Sequence, residues 1–334
     1  MTASTPLFVQ EALETPERIA NQLEENDHTT DKLGSHLRLV SPKFIYIVGR
    51  GSSDHAGSFA KYLFEIETGI PVVGATPSVT SAYGSSIKLD GALVLMISQS
   101  GRSQDVIDQA RMAKLSGAYV VGLVNDENSP LAEECDVLLP LKAGGQKVIG
   151  ATKTVLTTLS ALLQLVAKWT HNKELSSALY KLPDLMEQAC QSEPIITNAM
   201  LNSIEHCAVL GRGFGYAIAK EITMKLMGNC CIHAEPFSSA EFAHGAVGMI
   251  DKKLGLLSVD LRDEAFAKHQ QQIQEFIDAG LTVHKLKQPI FNCPERLAPL
   301  TLLQRFYLDI ANVAIERGID PDRPPGMQKM IKTF

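Results

Sequence analysis

Three serines stand within six residues at Ser98-Gln99-Ser100-Gly101-Arg102-Ser103. Hydroxyls at that density suit a phosphate dianion: each O–H donates one hydrogen bond to a phosphoryl oxygen, and Gly101 lets backbone N–H groups come close. The segment follows the apolar run Leu93-Val94-Leu95-Met96-Ile97 and precedes Asp105 to Ala113, whose pattern predicts a helix. A strand ending on hydroxyls at a helix start brings that helix's partial positive charge to the same anion. Gly-Lys-Ser/Thr is missing, which excludes a nucleoside-triphosphate loop.

The elements that must carry this loop are duplicated. Lys43 to Ser53 matches His206 to Gly215, an apolar strand running into Gly-Arg-Gly in both places (Gly49-Arg50-Gly51 and Gly211-Arg212-Gly213). Each is followed by a helical pattern bearing Ala-Lys (Ala60-Lys61, Ala219-Lys220), a proline (Pro77, Pro236), and a second apolar strand (Ala92 to Ile97, Gly255 to Val259). Strands alternating with helical patterns predict α/β architecture: two tandem doubly wound, flavodoxin-like parallel sheets. The copies differ in chemistry. Where the first has its serines, the second has Asp260-Leu261-Arg262-Asp263, which would repel phosphate; the second instead carries His233-Ala234-Glu235 and Glu241 to Gly245. One copy is therefore expected to hold the phosphate and the other to supply proton-transfer groups, all at the carboxyl ends of the strands.

Around the repeats, residues 1–34 read as a helical segment, with one amphipathic helix over Phe8 to Asn26. Residues 35–172 form the phosphate-binding domain and 173–198 a joining helix over Leu175 to Cys190. Residues 199–318 form the acid–base domain and 319–334 a Pro-rich arm. The chain of 334 residues carries a net charge of −6 without basic runs, so nucleic acid is not an expected partner. No signal peptide or membrane span is expected, and the six cysteines lack a CxxC pair, which reads as reduced and cytoplasmic. Neither Gly-Arg-Gly completes G-x-G-x-x-G, and His233, Glu235, Glu241 and His244 lack metal-ligand spacing; no cofactor and no metal are expected. His233 reads as a buried structural histidine, and Arg102, Lys147 and Lys153 as cations able to neutralise phosphate.

In combination, Gly49-Arg50-Gly51-Ser52-Ser53, Ser98 to Gly101, Ala151-Thr152-Lys153, Gly211-Arg212-Gly213, Ile232 to Glu235 and Glu241 to Gly245 resemble the double-SIS (sugar isomerase) family. The likeness is above all to the isomerase half of glucosamine-6-phosphate synthase and its free-standing deaminase relatives, and it covers nearly the whole chain. It implies that Ser52, Ser53, Ser98, Gln99, Ser100, Ser103 and Thr152 hold a sugar phosphate. It implies that His244 assists ring opening from a neighbouring subunit of a homodimer. It also implies that Lys329 contacts the open-chain sugar and that Lys225 lies beside the reacting carbons. The family's proton-shuttling glutamate falls on Gly228, and Arg50 and Ala151 also depart from the synthase pattern.

Converting an amino-aldose phosphate to a ketose phosphate and ammonia needs ring opening, transfer of the C2 proton to C1, and hydrolysis of an imine. His244 suits the first near neutral pH, and Lys225 or Lys329 can steady enediol charge. With Gly228 at the base position, Glu221, Glu235 and Glu241 are the candidate carboxylates. Glu221 leads because it is four residues from Lys225, although that spacing equally suits an ion pair between them. No glutaminase-like segment precedes the repeats, and Thr2 stands where its cysteine would be, so the degradative direction, glucosamine 6-phosphate to fructose 6-phosphate and ammonia, is expected. The alternatives are a fructosamine-6-phosphate deglycase and a sugar-phosphate sensor that binds without turnover.

Overall fold

Continuous apolar runs, not alternating ones, build the inner strands of the sheets, as parallel sheets covered on both faces require. A computed structural model describes residues 5–202, 204–245, 248 and 254–326. The chain forms two compact units, one of residues 17–145 and 153–181, the other of residues 5–16, 146–152 and 182–326.

The first unit holds most of α2 (Thr15–Val40), then β1 (Phe44–Val48), α3 (Ser52–Thr68), β2 (Val72–Gly74), α4 (Ser78–Ser81), β3 (Ala92–Ser98), α5 (Gln104–Leu115), β4 (Tyr119–Val124), α6 (Pro130–Glu134), β5 (Val137–Pro140), α7 (Lys153–Trp169) and α8 (Lys173–Leu179). The second opens with α1 (Leu7–Leu13) and resumes with α9 (Leu182–Gln191), α10 (Asn198–Leu201), β6 (His206–Gly211), α11 (Phe214–Cys230), β7 (His233–Ser238), α12 (Ser239–Phe242), β8 (Leu254–Asp260), α13 (Phe266–Asp278), β9 (Val283–Lys287) and α14 (Ala298–Glu316).

All pairings are parallel, in the orders β2-β1-β3-β4-β5 and β7-β6-β8-β9. The first is the flavodoxin-like order, with its switch point between β1 and β3. Every residue of β3 is buried, with Val94 and Met96 in a core that includes Val106, Ala110 and Ala113 of α5. Side-chain amides hold α2 in the first unit. Gln22 donates to the carbonyls of Leu141 and Thr157, and Asn26 to that of Pro140. In the second unit, Ala208 and Leu256 meet Ile273 and Phe276 of α13. Among the described residues no helix is long and apolar enough to cross a membrane.

The repeat is stricter than the sequence suggests. Phe44 and His206, Gly51 and Gly213, Ala92 and Leu254, and Ser98 and Asp260 share one offset, 162 residues (213 less 51). Gly51 (φ 56°, ψ −127°) and Gly213 (φ 57°, ψ −128°) turn identically into helices of 17 residues each. At this offset the Ala-Lys pairs and the two prolines fall three residues out of step and are not equivalent. Pro77 precedes α4, whereas Pro236 lies inside β7, which tolerates it as an edge strand.

Two helices expected to be continuous are broken. Phe8 to Asn26 divides into α1 and α2, and Leu175 to Cys190 into α8 and α9. Each new helix carries a proline at its second position, Pro16 or Pro183. Proline's ring collides with the carbonyl four residues earlier and its nitrogen donates nothing, so the preceding helix ends. At the first break the carbonyl of Ala12 takes a 2.9 Å hydrogen bond from Gln304 instead.

Candidate active site

The serine loop forms where β1 and β3 end side by side. Val48 is in register with Met96, so the turn into α3 and the Ser98 to Ser103 loop leave adjacent strands at their carboxyl ends. Ser52 opens α3, Ser53 follows it, and Ser103 precedes α5. Two helix N-termini thus rise from the switch point, where open sheets of this kind bind ligands.

The serine hydroxyls are oriented by the backbone. Ser98 Oγ accepts the Gly101 N–H at 3.0 Å, and Ser100 Oγ accepts the Arg102 N–H at 3.3 Å. A hydroxyl that accepts in this way still has its own proton to donate. Ser103 makes no side-chain cap to its helix. Gly101 has φ 61°, and a Cβ there would run into the Oγ and Cβ of Ser129, the residue that caps α6 by accepting the Ala132 N–H. Glycine is therefore demanded twice, by the left-handed backbone and by the neighbour.

Arg50 and Asp105 belong to this loop pair although sequence reasoning missed their partnership. Arg50 Nε donates to Asp105 Oδ2 at 2.8 Å, and its Nη2 lies 2.7 Å from the same oxygen. Asp105 is buried in the first turn of α5, where a carboxylate is favoured, and Arg50 ties it to the β1–α3 turn. The signal was an opposite-charge pair, one member after each of two neighbouring strands. Arg102, expected to be able to neutralise phosphate, is bonded to Asp126 at 2.7 Å. Lys153 is buried in α7.

The other candidates lie in the second unit. Thr152 is fully buried, with no hydrogen-bond partner for its hydroxyl among the described residues. Glu221 and Lys225 form a 2.7 Å ion pair one turn apart on α11, with side chains 2% and 3% exposed. Tyr307 of α14 donates to Glu221 at 3.2 Å, and the Lys225 ammonium lies 5.7 Å from the Tyr307 ring centre. Burial and the adjacent Glu221 carboxylate hold the Tyr307 hydroxyl far above its ordinary pKa. Of the two readings left open for Glu221, this geometry is that of an ion pair. Gly228, half-buried, lies in the last turn of the same helix. His244 is exposed just beyond α12, its N–H bonded to the Glu241 carbonyl. Lys329 lies outside the described residues.

Two expectations are corrected. Glu235 is not in a loop at the carboxyl ends but inside β7, and His233 opens that strand, opposite His206, at the amino end of the sheet. His233 is exposed rather than buried, its side chain 60% accessible. Pro236 disguised the strand.

Tandem parallel sheets, one with a serine loop at its switch point, define an α/β protein of two doubly wound domains. The comparisons make the class specific. The SIS domain family matches residues 38–168. A Silicibacter pomeroyi DSS-3 structure, assigned as a phosphosugar isomerase, is 32% identical with a TM-score of 0.89, covering 95% of this chain and all of that one. The chain belongs to the SIS domain family. It is also 28% identical to the isomerizing glutamine–fructose-6-phosphate aminotransferase of Thermotoga maritima over 96% of its own length, and spans 58% of that relative. A glucosamine-6-phosphate deaminase structure from the same organism shares the fold, with 20% identity, a TM-score of 0.77, and coverage of 98% of this chain and 99% of that one.

Proposed function

We propose that the chain is a phosphosugar isomerase that turns glucosamine 6-phosphate and water into fructose 6-phosphate and ammonia. The observation that carries this reading is the serine cradle at the β1/β3 switch point, in a chain 32% identical over its length to a structure assigned as a phosphosugar isomerase. The cradle grips a monophosphate with hydroxyls and helix N-termini. Gripping the ester at C6 leaves C1 and C2 free to react, and binding energy at that remote group can be used to orient them.

His244 serves the ring oxygen, and Lys329 keeps the contact with the open-chain sugar that the resemblance implies. Glu221 and Lys225, sealed together, act as a positioning pair for α11 rather than on substrate. Imine hydrolysis consumes one water and releases one ammonia, so in this direction water is the only co-substrate.

The test is a coupled assay for ammonia and fructose 6-phosphate on the wild type, Ser100→Ala and Gly228→Glu. Losing one hydrogen bond to a charged group costs about 1.5–3 kcal/mol, so Ser100→Ala should raise KM by about 10- to 100-fold. A wild type that does not turn over glucosamine 6-phosphate overturns the reading. A second reading, a sugar-phosphate sensor, is favoured by Gly228 and by the sealed Glu221. It predicts saturable binding without turnover, and gain of turnover in Gly228→Glu.

A further inference from the structure

The amino end of the second sheet carries two histidines that the mechanism does not use. β6 and β7 both open on histidine, and the register sets His206 directly opposite His233. Their Nδ1 atoms are 3.4 Å apart and their rings meet nearly edge to face. Side chains two apart on a strand share a face, so Glu235 joins them, its Oε1 4.0 Å from His233 Nε2. The three line a cavity of about 190 Å³ closed by Phe237 and Leu254.

From this geometry we infer that His206 and His233 bind a divalent transition-metal ion such as Zn²⁺ through their Nδ1 atoms. Two nitrogens at about 2.0–2.1 Å from a tetrahedral ion stand about 3.3–3.4 Å apart, the spacing these histidines already have. Glu235 then accepts the N–H of His233 Nε2 after a small side-chain rotation. That carboxylate–histidine–metal relay fixes the tautomer and raises ligand basicity. Among the described residues no group of three or more His, Cys, Asp or Glu side chains is arranged to hold a metal. The site thus has two protein ligands, and water completes the shell. Cys207 borders the cavity, but it is buried and, as the next residue along β6, its side chain points to the face opposite that of His206. The rival account, one imidazole donating to the other, leaves no place for an ion.

The whole chain, reduced and stripped of metal, is titrated with Zn²⁺ by calorimetry and with Co²⁺ by visible absorption. One equivalent should bind the wild type, and affinity should fall at least tenfold in His206→Ala, His233→Ala and the size-preserving His206→Gln. Glu235→Gln should weaken it by about 10- to 100-fold. Cys231→Ser, which removes the exposed thiol, should change nothing. Circular dichroism checks the fold of each variant, and both histidines are exposed enough to be replaced without loss of core. Failure of the wild type to bind, binding that survives the histidine substitutions, or binding lost with Cys231→Ser would overturn the inference. None of these results bears on sugar-phosphate turnover.

Discussion

Replacing Glu221 by glutamine separates a structural carboxylate from a catalytic one. The pair it forms with Lys225 is buried on both sides, so the substitution strands an ammonium without a counter-charge. Breaking a buried pair in this way costs about 3–5 kcal/mol. At about 2–4 °C per kcal/mol for a unit of this size, the thermal midpoint should fall by about 6–20 °C. Glutamine keeps an acceptor for the Tyr307 hydroxyl, so the loss belongs to the charge and not to that hydrogen bond. Adding Lys225→Met removes the stranded charge. What remains is an unsatisfied buried amide of about 1–3 kcal/mol, so the double variant should recover a good part of the loss. Urea and thermal unfolding of the wild type, both single variants and the double variant give the coupling energy, and turnover is measured on the same samples. Glu221→Gln that unfolds like the wild type but loses turnover by about 10²–10⁴, unrescued in the double variant, would show general-base catalysis and refute the positioning role.

Gly101→Ala should cost about 1–2 kcal/mol for the left-handed backbone alone, with more from displacing the Ser129 cap, and should weaken phosphate-ester binding at least tenfold in an equilibrium titration. Glu264, doubly bonded to Arg296, has its carboxyl lowered from 4.5 to about 2 by that guanidinium. A depressed folded pKa stabilises above the unfolded value and is lost as pH falls through the folded one. Since Glu264 is largely exposed, Glu264→Gln should cost at most about 1 kcal/mol at pH 7 in urea unfolding, shrinking between pH 4.5 and about 2. Iodoacetamide should label exposed Cys231 first, because burial pushes the Cys207 and Cys230 thiols up to about 12; mass spectrometry finding either buried cysteine modified first would contradict this.

What could be read from residues alone was whatever is local. Apolar runs gave β1, β3, β6 and β8, and Gly-Arg-Gly gave two turns whose backbone angles agree within a few degrees. The place of Ser98 to Ser103 between a strand end and a helix start followed from chain neighbours for the same reason. Features that depend on register were hidden. Arg50 meets Asp105 across 55 residues and His206 meets His233 across 27, because parallel strands, whose pairing no local pattern reports, bring them together. Glu235 was misplaced because proline disfavours strands except at an edge, and only the sheet order shows that β7 is one. The breaks at Pro16 and Pro183 were visible as prolines but were outweighed by apolar spacing that continues across them.

The duplication shows how one frame supports two loop chemistries. At the common offset, Ser98 becomes Asp260 and the cap residue Ser103 becomes Ala265. Asp260 accepts from Ser258, whose hydroxyl lies 2.9 Å from His269 Nε2, all three buried. The Asp263 side chain accepts the Ala265 N–H, and burial raises its carboxyl. Arg262 lies over the Phe291 ring at 3.9 Å while its N–H donates to Gln288. The second copy therefore ties its loop groups into internal bonds, where the first keeps serine hydroxyls that accept from the backbone and still have a proton to donate. Restoring Ser at Asp260 alone would not recreate a cradle. The acceptor of the Ser258 hydroxyl would be lost, Asp263 would still repel phosphate, and Arg262 would remain turned to its aromatic partner. Divergence in the loop after the third strand of each copy, with the glycine turn left intact, is enough to give the two sheets different loop chemistry.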